Sequence, residues 1–354
     1  MLCLINKESL LRKKALLVEP VGKPQTLRLM NMDAVEAMLR TRGPLTKPEL
    51  SRLTGLSLVT VGKAVDELVA QGRVLPAGPG GPTGGRTAHL YAFNRRQFCF
   101  LALYYYERRY TCALADAAGE IFCWEDVDIG AGPIVGETLD CIRRMRARAE
   151  NIPLAAVGVG VPGVVSGGVV TSIPALPALE GVEFGAVLEQ ALDCPVWVEN
   201  DIGLDAWGLY ADRFAGETDH LAYLYFGNGV GSGLVLNGRR FKGSTDFAGE
   251  VGSLPAGDTT LEQAFLAARA ARDREQICGL VRTAVTSLTC VLNPGIVAVK
   301  CDCLSPADMQ RMEQQLTIPA GHRPRLVLLG DVRRQCLQGV LRLCMENAGT
   351  TAGI

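Results

Sequence analysis

Ser57, Thr60 and Lys63 recur at one-turn spacing and carry the groups that duplex recognition uses. Hydroxyls reach base edges and phosphates, and an ammonium binds guanine or phosphate. An ordinary solvated helix face is the competing reading. Arg86 follows in a stretch rich in Gly and Pro, where a tip arginine can enter a minor groove or hold phosphate; a plain interdomain linker is the alternative. A second candidate is the loop Gly227-Asn228-Gly229-Val230-Gly231-Ser232-Gly233. Its amides, around Gly227, Gly229 and Gly231, can cradle a phosphate. A tight hairpin turn kept for folding is the favoured reading of the two. Metal chemistry finds no support: the 12 cysteines lack paired spacing, and His89, His220 and His322 are dispersed. Cys301 and Cys303 alone fall short of the roughly four ligands zinc takes, so no metal and no cofactor are expected.

These residues need elements to hold them. Val35, Met38 and Leu39 form one apolar face of a helix over Met32 to Arg40, ended by Arg42-Gly43-Pro44. Thr46 and Glu49 have capping-box spacing for a helix that buries Leu50 and Leu53 and stops at Gly55. Ser57 then caps a third helix to about Gln71, with Val61, Val65, Leu68 and Val69 inward and Gly72 closing it. Two short helices around a glycine turn, followed by a hairpin ending near Phe93, have the pattern of a winged helix-turn-helix. Beyond it, strands are expected at 98–106, 109–115 and 121–127, a helix at 134–150, and strands at 154–161 and 195–199. A helix at 202–214 and strands at 220–226 and 233–236 repeat the hairpin-first order. Strands first and then alternation with helices, twice, imply an internally duplicated α/β fold.

Composition sets the outer bounds. The 354 residues are 48% hydrophobic and 21% charged, which excludes a largely disordered chain. The longest nearly apolar run, Leu154 to Val165, is far shorter than the ~20 residues of a membrane helix. The first residues, MLCLINKESLLRKK, lack the apolar core of a secretory signal, so a cytoplasmic chain with reduced thiols is expected. A net charge of −1 conceals an asymmetry: residues 1–96 hold 15 Lys and Arg against 7 Asp and Glu, and the remainder 21 against 30. A basic head at +8 on an acidic body at −9 suits a polyanionic partner for the head.

The ordered set GPLTKPELSRLTGLSLVTVGKAVDEL, GGR (84–86), GVGVPGVV (158–165), VENDIGLDAWG (198–208), GNGVGSG (227–233), AGEVG (248–252) and LNPGIVAV (292–299) resembles the ROK family of repressors, open reading frames and kinases. The likeness is to its transcription-regulator branch and spans roughly residues 28–350. It implies an uninterpreted arm (1–25), a winged helix-turn-helix (26–94), and a two-lobed, actin-like/ribonuclease H-like sugar-kinase domain (95–354).

The resemblance also assigns residues. Asp201 matches the kinase base that takes the sugar hydroxyl proton, with Asn200 beside it; Glu250 and Glu262 match further sugar-contacting carboxylates. The phosphate loop of the kinases is replaced by Leu103-Tyr104-Tyr105-Tyr106-Glu107-Arg108-Arg109, and their glycine pair after NPGIVAV by Lys300-Cys301. Ser253 stands where the family has a histidine, and 254–261 reads LPAGDTTL in place of its zinc loop. The implied function is a non-catalytic repressor of carbohydrate metabolism. It would bind an operator in double-stranded DNA as a homodimer or dimer of dimers, with a sugar or phosphosugar effector and no membrane partner. An active hexose or N-acetylhexosamine kinase with an appended DNA module, and a regulator whose kinase-like body only dimerises, are the alternatives.

Overall fold

The computed structural model describes residues 24–80, 88–106, 109–173 and 176–348. The chain divides into two compact units, with the division between Arg95 and Arg96. In the first, α1 spans Pro24–Arg42, β1 Leu45–Thr46, α2 Lys47–Thr54, α3 Leu58–Ala70, β2 Val74–Pro79 and β3 His89–Phe93. Local chemistry sets the boundaries. The Thr46 hydroxyl accepts from the Glu49 amide while the Glu49 carboxylate accepts from the Thr46 amide at 2.8 Å, closing the capping box of α2. Gly55 ends α2 with φ 72°, a left-handed conformation that costs glycine little. The Ser57 hydroxyl accepts from the Thr60 amide and caps α3.

Met32, Val35 and Leu39 of α1, Leu50 of α2, and Val61, Val65 and Leu68 of α3 are fully enclosed with Val74 of β2. β3 lies between β1 and β2, antiparallel to both. The carboxylate of Glu36, buried on α1, binds the Arg73 guanidinium just before β2. The helix expected from Met32 begins at Pro24. Leu53, expected inside, is 40% exposed: three residues past Leu50 it lies about 60° round a helix of only two turns. Met38 and Val69 are half-buried. All but the last two residues of the arm (1–25), and the segment 81–87 that contains Arg86, lie outside the described residues.

The second unit holds two five-stranded mixed sheets. In the first half, β4 (Cys99–Tyr106), β5 (Arg109–Asp116) and β6 (Ile121–Asp128) form an antiparallel meander. After α4 (Ile134–Arg148), β7 (Leu154–Val161) joins β4 in parallel. The small hairpin β8 (Val164–Ser166) and β9 (Val169–Ser172) and then α5 (Phe184–Leu192) lead to β10 (Val196–Asn200), parallel to β7. The second half begins after α6 (Asp201–Leu209), which continues as a π turn over Tyr210–Phe214. There β11 (Leu221–Phe226), β12 (Val230–Leu236) and β13 (Arg239–Phe241) form the meander.

The short pair β14 (Pro255–Ala256) and β15 (Thr259–Thr260) precedes α7 (Leu261–Ala271) and α8 (Arg274–Leu292). β16 (Ile296–Cys301) then joins β11 in parallel; α9 (Pro306–Gln314), β17 (Arg325–Leu328) and α10 (Arg333–Asn347) complete the unit. The sheet orders, β10-β7-β4-β5-β6 and β13-β12-β11-β16-β17, show the same strand plan twice, as the duplicated α/β pattern of the sequence implies. Two expected bounds move. The strand expected at 233–236 starts at Val230, so Gly231, expected in the loop, is a ladder residue of β12 paired with Tyr225. The helix expected to run through 202–214 stays α-helical only to Leu209.

α6 and α10 cross at backbone contact. A Cβ on Gly208 would lie 1.9 Å from the Gln335 carbonyl oxygen, and one on Gly339 2.0 Å from that of Leu204. Leu204 and α10 side chains such as Leu337 and Val340 pack on the first sheet with Phe100 and Ala156. Ala206 and Leu209 of α6 pack on the second sheet with Tyr223 and Val235. The start of α6 is thereby fixed between the halves, directly after the carboxyl end of parallel strand β10, where α/β folds place ligands.

Candidate nucleic-acid face and ligand cleft

The first unit presents the beginning of α3 to solvent. Ser57 and Lys63 are exposed and Thr60 half-exposed. The Ser57 and Thr60 hydroxyls share a 2.8 Å hydrogen bond, so Ser57 serves the helix cap as well as the surface. Lys63 and Arg52 are exposed and form no ion pair with a described residue, whereas Lys47 is held by Asp66 at 2.6 Å. Leu58 and Val59, at the same end of α3, are 53% and 70% exposed. The sequence reading passed over them because apolar side chains at a helix start read as core, yet apolar groups recognise the thymine methyl in a major groove.

In the second unit, Asn200, Asp201, Glu250 and Glu262 all line one cleft of about 610 Å³. Asn200 is held as the cap of α6: its Oδ1 accepts from the Gly203 amide at 2.9 Å, and its Nδ2 donates to the Gly163 carbonyl at 2.9 Å. Asp201, the first residue of α6, accepts from the Ile202 amide at 2.7 Å. Burial, then the neighbouring Asp205 carboxylate, hold the Asp201 carboxyl well above the usual carboxylate range. Burial raises Glu250 as well, followed by the repulsion of Glu262. Glu262, the second residue of α7, accepts from the Val230 amide at 2.8 Å.

The glycine loop borders the same space. Gly229 and Gly231 line the cleft, and Gly227 lines an adjoining cavity of about 230 Å³. Several loop amides are already engaged: Gly227 donates to the Gly229 carbonyl at 3.0 Å, Asn228 to the Tyr225 hydroxyl at 3.4 Å, and Val230 to the Glu262 carboxylate. Arg269 of α7 donates to the Gly227 carbonyl at 2.6 Å and to Asn228 Oδ1 at 3.1 Å, clamping the turn from outside. A Cβ on Gly231 would meet Ile202 Cδ1 at 2.6 Å, so this glycine lets β12 approach α6. In the adjoining cavity, Lys300 pairs with Asp302, and Arg333 with Asp331 and Asp126.

Asp205 was missed by the sequence reading. It lies one helical turn after Asp201 and lines both the cleft and the adjoining cavity. Tyr104 donates to its Oδ2 at 3.2 Å, and the buried Tyr223 hydroxyl and Cys336 thiol face the same carboxyl. Burial pushes the Asp205 carboxyl up to about 7. The signal was present, since Asp201 and Asp205 stand four apart on a helix; that the later carboxylate faces the ligand space depends on the crossing of α6 and α10. Among the described residues no group of three or more His, Cys, Asp and Glu has the geometry to hold a metal ion, and no helix is long and apolar enough to cross a membrane.

Residues 108–280 match the ROK family model. The xylose repressor of Caldicellulosiruptor bescii is 26% identical over 240 residues, 66% of this chain and 60% of that protein. The chain thus spans about 60% of the length of such curated relatives. The crystal structure of a ROK family transcriptional regulator, a homolog of the E. coli MLC protein, superposes with a TM-score of 0.70 at 17% identity, covering 91% of this chain and 97% of that one. A ROK family glucokinase from Streptomyces griseus, in complex with glucose and AMPPNP, gives a TM-score of 0.58 at 17% identity, covering 70% and 99%. The mixed-sheet α/β architecture is that of the ROK sugar-kinase-like fold.

Proposed function

We propose that this chain, whose residues 108–280 are a ROK family domain, is a DNA-binding transcriptional repressor of sugar metabolism. In this reading residues 26–94 are a winged helix-turn-helix and residues 95–354 a kinase-like body that senses a carbohydrate without phosphorylating it. α3 is the recognition helix: Ser57, Thr60 and Lys63 contact bases and phosphates, Val59 reads a thymine methyl, and β2 and β3 form the wing, with Arg86 beyond the described residues. Asn200, Asp201, Glu250 and Glu262 accept hydroxyls of the sugar, Asn200 also fixing the start of α6. A dimer would set two recognition helices about one DNA turn apart on a pseudo-palindromic operator. The repressors among the similar proteins support this reading.

The observation that carries the loss of catalysis is the occupied glycine loop. A phosphate arriving there would find the Val230 amide already bound to the Glu262 carboxylate and the Asn228 amide bound to Tyr225. Phosphoryl transfer depends on positioned donors and a metal around the phosphates. The test selects bound sequences from random duplexes and then titrates the best one by fluorescence anisotropy across salt. A steep salt dependence is expected, with Lys63→Ala reducing the log–log slope by about 1. Equal affinity for all sequences would refute the DNA-reading role. An active kinase is the second reading, favoured by the four sugar-type residues that still share a cleft. ATP turnover with a hexose or N-acetylhexosamine, abolished in Asp201→Asn, would establish it.

A further inference from the structure

Cys112 of β5 and Cys141 of α4 hold their sulfurs 3.2 Å apart in the core of the first half. Neither lines the cleft or the adjoining cavity. The two elements are held in register beside them. The Tyr110 hydroxyl, two residues before Cys112, and the Thr138 hydroxyl, three before Cys141, share a 2.7 Å hydrogen bond. That spacing puts both contacts on one face of the strand and one face of the helix. A disulfide bond is about 2.05 Å long, so the sulfurs need to close by only about 1.2 Å.

Two buried thiols in contact are often plain packing. A second observation separates this pair. Arg144, three residues after Cys141, reaches its sulfur while its own side chain is 55% exposed. It lies 3.8 Å from the carboxylate of Glu125, the residue opposite Cys112 on β6. The hydrogen bond from Cys112 holds the Cys141 thiol below its usual value; burial opposes this and the Arg144 charge assists it. The same bond, and burial after it, raise Cys112. An exposed arginine changes rotamer within nanoseconds, so a molecule as small as a peroxide reaches Cys141 when the guanidinium swings away. We propose that Cys112 and Cys141 are an oxidation site, a dithiol that a peroxide converts to a reversible disulfide joining β5 to α4. The Cys141 sulfur attacks one peroxide oxygen, the O–O bond breaks, and the other oxygen leaves as water, giving a sulfenic acid. The Cys112 sulfur then attacks the Cys141 sulfur, the S–O bond breaks, and the hydroxyl takes the Cys112 proton and leaves as a second water. The two thiols lose two hydrogens, and the peroxide is reduced to two waters. Cys141 thus attacks and Cys112 resolves, as their opposite shifts and the position of Arg144 require.

The experiment treats the full, folded chain with hydrogen peroxide at pH 7, blocks the remaining thiols with iodoacetamide in denaturant, and maps the digest by mass spectrometry. The expected product is a linked peptide pair holding Cys112 and Cys141, lighter by two hydrogens than the reduced pair. It should appear while most of the exposed Cys290 is still reduced, and dithiothreitol should reverse it. In Cys112→Ala the resolving thiol is gone, so Cys141 should persist as a sulfenic acid that dimedone captures. Arg144→Gln should slow the link several-fold with the melting temperature unchanged; an unchanged rate would overturn the part given to Arg144. The mapping of the parent chain decides the matter even if the alanine variant fails to fold. If both cysteines are recovered alkylated after Cys290 has been consumed, or link only when urea is present during oxidation, the pair is packing and the proposal fails. A link between Cys301 and Cys303 in its place overturns it as well.

Discussion

The crossing of α6 and α10 makes a quantitative prediction. Replacing Gly208 with alanine places a methyl carbon 1.9 Å from the Gln335 carbonyl oxygen and 2.7 Å from the Gly339 nitrogen, where ordinary contact begins at 3.4 Å. The atoms in the way are backbone, so no rotamer change relieves the clash; the helices must part by roughly 1.5 Å. Both are packed on sheets, which resist the movement. Overpacking of this kind costs about 1–3 kcal/mol, and backbone against backbone belongs at the upper end. For a unit of this size that is a fall in Tm of about 6–12 °C. Because α6 carries Asp201 and Asp205, ligand affinity should fall in parallel. Gly62→Ala is the control: its Cβ meets nothing within 4 Å and lies inside α3, so it should add about 0.5–1 kcal/mol. Scanning calorimetry of both variants reads the difference. A Gly208→Ala protein melting within about 1 °C of the parent would refute the account of the crossing.

Three further outcomes are expected. Asp205→Asn should flatten the pH dependence of urea stability. A carboxyl whose folded value is raised by burial binds a proton more tightly in the native state, so its contribution falls as pH climbs from the unfolded carboxylate range towards 7. The comparison of variant and parent between pH 5 and pH 8 isolates this from Asp201, Tyr104, Tyr223 and Cys336, which face the same group; parallel pH profiles would refute it. Thr46→Ala removes the acceptor for the Glu49 amide and should cost about 1 kcal/mol in denaturant titrations of the first unit's transition. Val59→Ser should lower sequence preference by about 1–3 kcal/mol at one base pair while leaving the salt slope of DNA binding unchanged, as measured by anisotropy on single-base operator variants.

Much of the architecture was readable because its boundaries are written in local chemistry. Thr46 with Glu49, Gly55 and Ser57 act within a few residues of themselves, and the bounds of α2 and α3 follow from them. The repeated hairpin-first order likewise gave two equivalent halves. What escaped is what distant partners decide. β1 is two residues long and exists through its pairing with β3, a signal too short for periodicity. The start of β12 was hidden because Gly231 looks like a loop residue until Ile202 of α6 is seen against it. The four assigned cleft residues fall on three separate stretches, and it was the resemblance, not spacing, that grouped them. Asp205 needed the fold, since only tertiary packing turns a second carboxylate on a helix into the wall of a cavity.

The glycine turn is held redundantly. Tyr225, Glu262 and Arg269 each hold a different atom of it, and they come from β11 and α7. Removing any one leaves the others in place, and Tyr104 lines both the cleft and the adjoining cavity. Because the three holds fall on three different atoms, freeing the whole turn takes more than one substitution. The turn thus keeps its shape whether or not anything occupies the space beside it.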